Sequence, residues 1–529
     1  MTATNPDRPP TPKRRLRQRI PKPLRQHWKL LVVFVVFVTT MATVFGAARI
    51  RPYITGDVSV IASPITENIA GTVDLFDTSI GHELSLDIPA AELDDMLSTY
   101  EKTGDKKWVN ATVTIDGTLI GDVAVRLKGN STLMGLRGDG AGGPGGTALP
   151  EGMAVPEGFT PPEGFEPPGG MGGGMASVSA DDPTTLPLLL SFDEYADGRA
   201  YQGVTELSVR PGTPVVNEAM ALSLTAATGQ PTQRFSYSEY MINGSATATR
   251  LLLEHPDDGY ANSLFDSDGY LYKAKANSRF VYVDDDQSSY SDQFKQINAV
   301  DSGNLQPIIS FLKWLDSADD AEFDAHLADW VDVDSFARYL ATQNLLINGD
   351  DMSGPGQNYY LWYDLGTGKI SVVSWDLNLA MTGGTEAGPH DTVSMGMGAA
   401  PGGGGMPGMP QTGRGRPGVP GGTGVDRAVP QGMPQMPGGG MPGGGMRGGN
   451  TLKTRFLDSD AFTGVYEQAY WDLYEQMYGS GRADGILDDL AASIPTSDGL
   501  TADALQGSID EMRSWIGQRT TALEAQRDR

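Results

Sequence analysis

The chain has 529 residues, with 39 Lys and Arg against 66 Asp and Glu, a formal net charge of −27. That excess of negative charge repels phosphate backbones and argues against nucleic-acid binding through a broad basic surface. The chain has no cysteine and five histidines, which excludes disulfides, thiolate nucleophiles, Cys-ligated zinc and iron–sulfur clusters, and disfavours a His-rich metal centre.

Residues 1–29 carry nine Lys and Arg against the single acid Asp7, and read as a basic cytoplasmic tail. They precede an uncharged run of 19 residues, Leu30 to Ala48. As a helix this run extends about 28 Å, close to the ~30 Å hydrocarbon core of a bilayer. A basic flank ahead of it predicts a transmembrane helix or uncleaved signal anchor over 30–48, with the N-terminus cytoplasmic and the rest of the chain outside the cell membrane.

Two Gly/Pro-rich tracts interrupt the chain beyond this run, residues 134–180 and the Met-rich 383–450, and together they hold 12 of the 21 methionines. Such composition buries too little apolar area to offset chain entropy, so both read as disordered insertions. A G-x-G-x-x-G inside them carries no weight as a nucleotide loop, because no strand leads into it and no helix leads out.

The ordered remainder reads as α+β. Val109 to Leu127 alternates apolar and polar residues around Asp116-Gly117, a hairpin pattern. Short strands are expected at 205–209, 236–242, 249–253 and 269–273, with a turn at Asn243-Gly244. Residues 217–228 and 333–346 have helical spacing. A second hairpin is expected over 359–363 and 370–375, and amphipathic helices over 462–477 and 502–526. No period of 20–50 residues repeats, which excludes solenoids and propellers.

The densest group of chemically useful residues lies in 344–381. A helix delivers a loop holding Asp350 and Asp351, Asn358 opens the next strand, and the strand after that ends at Asp376. A carboxylate to orient a hydroxyl, with an amide oxygen and second carboxylate for Mg²⁺, is the donor set of phosphoryl transfer. The same residues also suit plainer roles: Asp in a Gly/Pro loop makes turns, and Asp after a strand caps helices. Two further acidic runs, Asp266–Asp268 and Asp284–Asp286, lack the glutamate of a calcium loop and read as solvated turns.

Four stretches together resemble the CotH kinase family, whose members have an atypical protein-kinase-like fold: VAVRLKGNST (123–132), YMINGSATATRLLLEH with GYLYKAKA (240–276), FARYLATQNLLINGDD with QNYYLWYD (336–364), and ISVVSWDLNLAM (370–381). The resemblance spans residues 72–525 apart from the two tracts. It implies a β-rich N-terminal part over 72–133, a kinase core over 183–382 and C-terminal helices over 451–529. It further implies transfer of phosphate from ATP, with Mg²⁺ or Mn²⁺, to Ser or Thr of a protein. Asp350 matches the family's catalytic-loop aspartate, and Asn358 and Asp376 match its metal ligands. Arg126 and Lys128 fall in the R-x-K-G-N-S stretch and are expected at nucleotide phosphates. Lys273 with Glu254 is the candidate strand lysine and carboxylate partner; solvated surface cations and a surface ion pair are the plainer alternatives.

The chain departs from the family pattern in four places. Asn378 replaces the second Asp of W-D-x-D, Ser374 stands where proline is usual, Leu186-Pro187-Leu188 lacks an expected lysine, and Asp351 adds a charge beside Asp350. Two readings therefore stand. One is a membrane-anchored kinase acting on an envelope or secreted protein. The other is a catalytically inactive pseudokinase serving as a cell-surface binding or assembly platform, which the scarcity of ATP outside a membrane favours.

Overall fold

The computed structural model describes residues 65–129, 132, 133, 136, 178–276, 278–300, 304–393 and 450–528. The basic tail, the expected span Leu30 to Ala48, Asn130, Ser131 and most of both tracts lie outside the described residues. Among the described residues no helix is long and apolar enough to cross a membrane. The architecture is mixed α+β and belongs to one compact unit, Ser59–Arg529.

Thirteen described strands form three sheets. Seven close a barrel in the order β2 (Gly81–Asp87), β3 (Val109–Ile115), β4 (Thr118–Leu127), β5 (Leu188–Ser191), β7 (Glu206–Val209), β9 (Ala248–Glu254) and β8 (Phe235–Ile242). Neighbours are antiparallel except at the closure, where β2 runs parallel to β8 from Gly81↔Tyr237 to Leu86↔Ile242. The alternating burial of β3 makes its pattern legible: Val109, Ala111, Val113 and Ile115 point inward and the residues between them do not. Asp116 and Gly117, at φ 47° and 79°, make the expected tight hairpin turn. Asp116 also ties that turn to β2, accepting from the Glu83 N–H at 2.8 Å and meeting His82 Nδ1 at 2.8 Å. Inside, Leu84, Leu86, Val113, Val125, Leu188, Leu207 and Leu252 form an apolar core, joined by Leu93 and Met96 of α1 (Ala90–Thr103).

β1 (Glu67–Ile69), ahead of the barrel strands, pairs in parallel with β6 (Arg199–Tyr201), which falls between β5 and β7 in the chain. The third sheet is antiparallel, β11 (Phe294–Gln296), β10 (Gly269–Ala274), β12 (Tyr359–Asp364) and β13 (Ile370–Ser374). Its two faces differ in partner, as the period of two requires. Tyr272, Tyr359, Leu361 and Val372 join the large helical core, whereas Leu271, Tyr360, Trp362, Val373 and Trp375 form a smaller aromatic cluster on the opposite face. Lys273 shares that second face with Tyr360, its register partner.

The described residues contain ten helices. After α2 (Val216–Ala227) and the short α3 (Asp258–Ser263) come α4 (Gln306–Ser317), α5 (Asp320–Trp330) and α6 (Val333–Leu345). The tail adds α7 (Thr451–Asp458), α8 (Asp460–Tyr474, continued by a π turn), α9 (Arg482–Ser493) and α10 (Ala502–Arg527). Asp319, Asp332, Asn450 and Thr501 cap four of these with side-chain oxygens on backbone N–H groups. Residues 383–393, counted with the second tract by composition, pack against α10 and α6. Arg519 donates to the carbonyls of Thr385 and Ala387, and the Asn344 amide donates to those of Gly388 and Asp391. Backbone carbonyls, rather than apolar side chains, hold this Gly-rich segment, which is why composition concealed it.

Candidate functional site

Asp376, two residues past the end of β13, takes a left-handed conformation, φ 55°, strained for a residue with a side chain. Its carboxylate makes no capping bond to the short 3₁₀ turn beyond it, so the helix-cap role does not apply. It instead pairs with Arg210, just past the end of β7, and Arg210 also pairs with Glu218 in the first turn of α2. Burial pushes the Asp376 carboxyl up, but Arg210, with Lys128 and Lys273 behind it, outweighs this and holds it below the usual carboxylate range.

Trp375, only 7 % exposed, packs against two ammonium groups. Lys128 lies 5.4 Å and Lys273 4.7 Å from its ring centre, and Tyr360 and His255 pack edge-on against it. Lys128 also donates to Ser208 Oγ. Burial, followed by the nearby charges of Arg210 and Lys273, holds Lys128 well below the lysine range. Burial likewise brings Lys273 down to about 8 despite the opposing pull of Asp376. His255 is depressed by burial and then by Lys128 and Lys273, so near neutrality it is an uncharged ring. Arg126 stacks over Trp108 at 4.6 Å. Lys295 is exposed and directly opposite Lys273 across β10–β11, where like charges repel.

Asp350 sits five residues beyond α6 and is 8 % exposed. Its carboxylate accepts the Gly356 N–H at 2.7 Å and the Asn358 amide at 2.9 Å. Burial raises its pKa, and the charges of Asp376 and Asp351 add to this against the two hydrogen bonds. Behind it a buried chain of amides runs from Ser374 Oγ through Gln343 and Asn348 to the Asp350 N–H. Ser374, at the position where proline is usual, thus joins the end of β13 to the loop. Asp351 points elsewhere: it accepts the Ser353 N–H and pairs with Lys453 of α7. A methyl on Gly356 would fall 2.6 Å from Asp350 Oδ2 and 2.8 Å from Asn358 Nδ2. Gly356→Ala is therefore expected to displace the carboxylate and lower turnover about 10²-fold while the melting temperature changes little; steady-state kinetics beside a thermal melt checks this.

The structure brings together Asp350, Asn358, Asp376, Lys128 and Lys273, with Arg126 at the margin. It does not join Lys273 to Glu254. Glu254, at the end of β9, turns to Arg234, whose Nη2 and Nε donate to its two oxygens at 2.6 and 3.1 Å. Arg234 enters β8 beside β9 and reaches Glu254 first. The positions 186–188 that lack a lysine lie in the barrel interior, where Leu186 and Leu188 are fully buried. Asn378 uses its backbone carbonyl to accept from the Asn217 amide at 2.7 Å.

Sequence reading missed Arg210, Glu218, His255 and Lys295. An Arg before Pro-Gly and a Glu in a helix's first turn are common surface residues; only the pairing across the fold sets these two apart. Among the described residues no group of three His, Asp or Glu side chains is arranged to hold a metal. A divalent ion that keeps waters and phosphate oxygens needs fewer protein ligands, and one carboxylate with one amide oxygen fits Mg²⁺.

No curated protein matches the chain. A scan against family models matches "CotH kinase protein" over residues 213–523, a range that takes in Glu218, Lys273, Asp350, Asn358 and Asp376 but begins after Arg126, Lys128 and Arg210. The match covers more than half of the sequence and its densest stretch of acidic site residues, and the chain belongs to the CotH kinase family.

Proposed function

We propose that the protein is a membrane-anchored kinase that transfers the γ-phosphoryl group of ATP to Ser or Thr of an envelope or secreted protein. One observation supports this most. In a chain with 27 more acids than bases, Arg126, Lys128, Lys273 and Lys295 make no ion pair among the described residues, yet all four lie within electrostatic reach of His255, and Lys128 and Lys273 also within that of Asp376. Unpaired cations on an acidic protein mark a place for a bound anion, and a polyphosphate matches their number.

Within this reading Asp350 orients the acceptor hydroxyl and takes its proton, held in place by Gly356 and Asn358. Lys128 and Lys273, both against the Trp375 ring, contact the phosphates, with Arg126 beyond them. Asn358 and Asp376 would hold Mg²⁺ or Mn²⁺, which neutralises charge on the transferring phosphate. Residues 1–48, read as basic tail and membrane span, would place the domain outside the membrane.

The pseudokinase reading rests on a different observation: Arg210 already engages Asp376. Full-length protein in detergent, incubated with γ-labelled ATP and Mg²⁺ or Mn²⁺, separates the two. The kinase reading expects label on the protein or an added Ser/Thr acceptor, abolished by chelation and by Asp376→Ala. No label, with no shift in melting temperature on adding nucleotide, would leave the binding platform.

A further inference from the structure

Arg210 and Glu218 pair in an unusual way. A guanidinium usually meets a carboxylate with two nitrogens on two oxygens. Here Nε, at 3.1 Å, and Nη2 both donate to Glu218 Oε1. Oε2 is left buried with no hydrogen-bond partner among the described residues, and the side chain is fully buried. Stranding a carboxylate oxygen in this way forfeits its hydration with no hydrogen bond in return. The same nitrogen, Nη2, also donates to Asp376 Oδ1. A single cationic nitrogen therefore stands between two carboxylates from distant parts of the chain.

The geometry points to Glu218 as a second carboxylate of the cation site, with Arg210 filling that site when no metal is bound. This rests on the kinase reading above and adds a ligand to it. Two carboxylates gathered around one positive atom, one of them with an unused oxygen, form a donor set for a hard divalent ion. Glu218 also supplies the negative charge that Asn378 fails to provide in W-D-x-N, and it comes from the helix whose Asn217 already holds the Asn378 carbonyl. The exchange is electrostatically balanced. One guanidinium between two carboxylates leaves a net charge of −1, and a divalent ion there, with the guanidinium still close by, leaves +1, suited to an incoming phosphate. The displaced Arg210, 14 % exposed, is then free to join Lys128 and Lys273 on that phosphate.

Mn²⁺ titration of the full-length protein, followed by the electron paramagnetic resonance of the free ion, tests this without turnover. Mn²⁺ alone is expected to bind at least 10-fold more tightly to Arg210→Gln than to wild type, because the competing cation is gone. Glu218→Gln is expected to weaken Mn²⁺ binding at least 10-fold in the presence of ATP. Near-ultraviolet circular dichroism monitors folding, and Glu218→Asp, which keeps the charge on a shorter arm, replaces Glu218→Gln if that variant is unfolded, with an intermediate loss expected. Unchanged affinity in the Glu218 variants, with affinity lost in Asp376→Asn, would overturn this assignment and leave the kinase reading intact. Affinity retained in Asp376→Asn as well would overturn both.

Discussion

Asp350→Asn is expected to lower phosphoryl transfer by about 10³-fold, the usual scale of a lost general base, while nucleotide affinity and melting temperature stay close to wild type. The asparagine can still accept the Gly356 N–H, so the loop keeps its shape, but it cannot take a proton from the acceptor hydroxyl. Its amide also faces the Asn358 amide donor, now without the charge that strengthened that bond. Single-turnover kinetics with labelled ATP checks the rate, and nucleotide-induced thermal shift checks binding. A wild-type rate in this variant would remove Asp350 from the chemistry. The pH profile carries an independent signature. Lys273, with its pKa brought down to about 8, holds its charge below that value and loses it above. The kcat/KM of the free enzyme should therefore fall on an alkaline limb near pH 8, and Lys273→Arg should remove that limb because guanidinium stays charged.

Arg519→Leu is expected to destabilise the fold by about 3 kcal/mol or more, the cost of leaving buried acceptors without donors. Arg519 of α10 is fully buried and has no carboxylate partner among the described residues. Its guanidinium donates to the Leu345 carbonyl at 3.2 Å, that of Asn344 at 3.1 Å, that of Thr385 at 2.8 Å and that of Ala387 at 2.5 Å, and reaches Tyr470 OH at 3.3 Å. These acceptors include the C-terminal end of α6, where the helix dipole favours a cation. Leucine would leave several buried carbonyls without donors. Because α6 ends five residues before Asp350, activity should fall together with stability. Arg519→Lys should recover only part of both, since three donors on a flexible stem cannot match a planar set of five. Urea denaturation of the three proteins measures the effect; a change under about 1 kcal/mol would mean that water replaces the guanidinium at those carbonyls.

Much of the strand framework was legible from the residues because its causes are local. Alternation in 109–127 and the Asp116-Gly117 turn depend on neighbours along the chain, and the hairpin forms where they indicate. The helices at 333–346 and 502–526 form for the same reason. Asp350 and Asn358 were readable as a pair because they are eight residues apart, joined by a Gly-Pro-Gly loop that brings them into hydrogen-bond contact.

Barrel closure had no such signal. The parallel pairing of β2 with β8 joins residues more than 150 positions apart, and no turn or period encodes it. The charge partners depend on that closure. Arg210 meets Asp376 across 166 residues, and Glu254 takes Arg234 rather than Lys273 because β8 lies beside β9. Local periodicity and turn stereochemistry decide which residues form strands, helices and loops. Which carboxylate faces which cation is decided by the distances that tertiary packing sets, and Coulomb attraction and desolvation change steeply over those few ångströms. Local order along the chain thus accounts for the elements and the Asp350–Asn358 loop, whereas the convergence of Arg210, Glu218, Lys128 and Lys273 on Asp376 is a product of long-range packing.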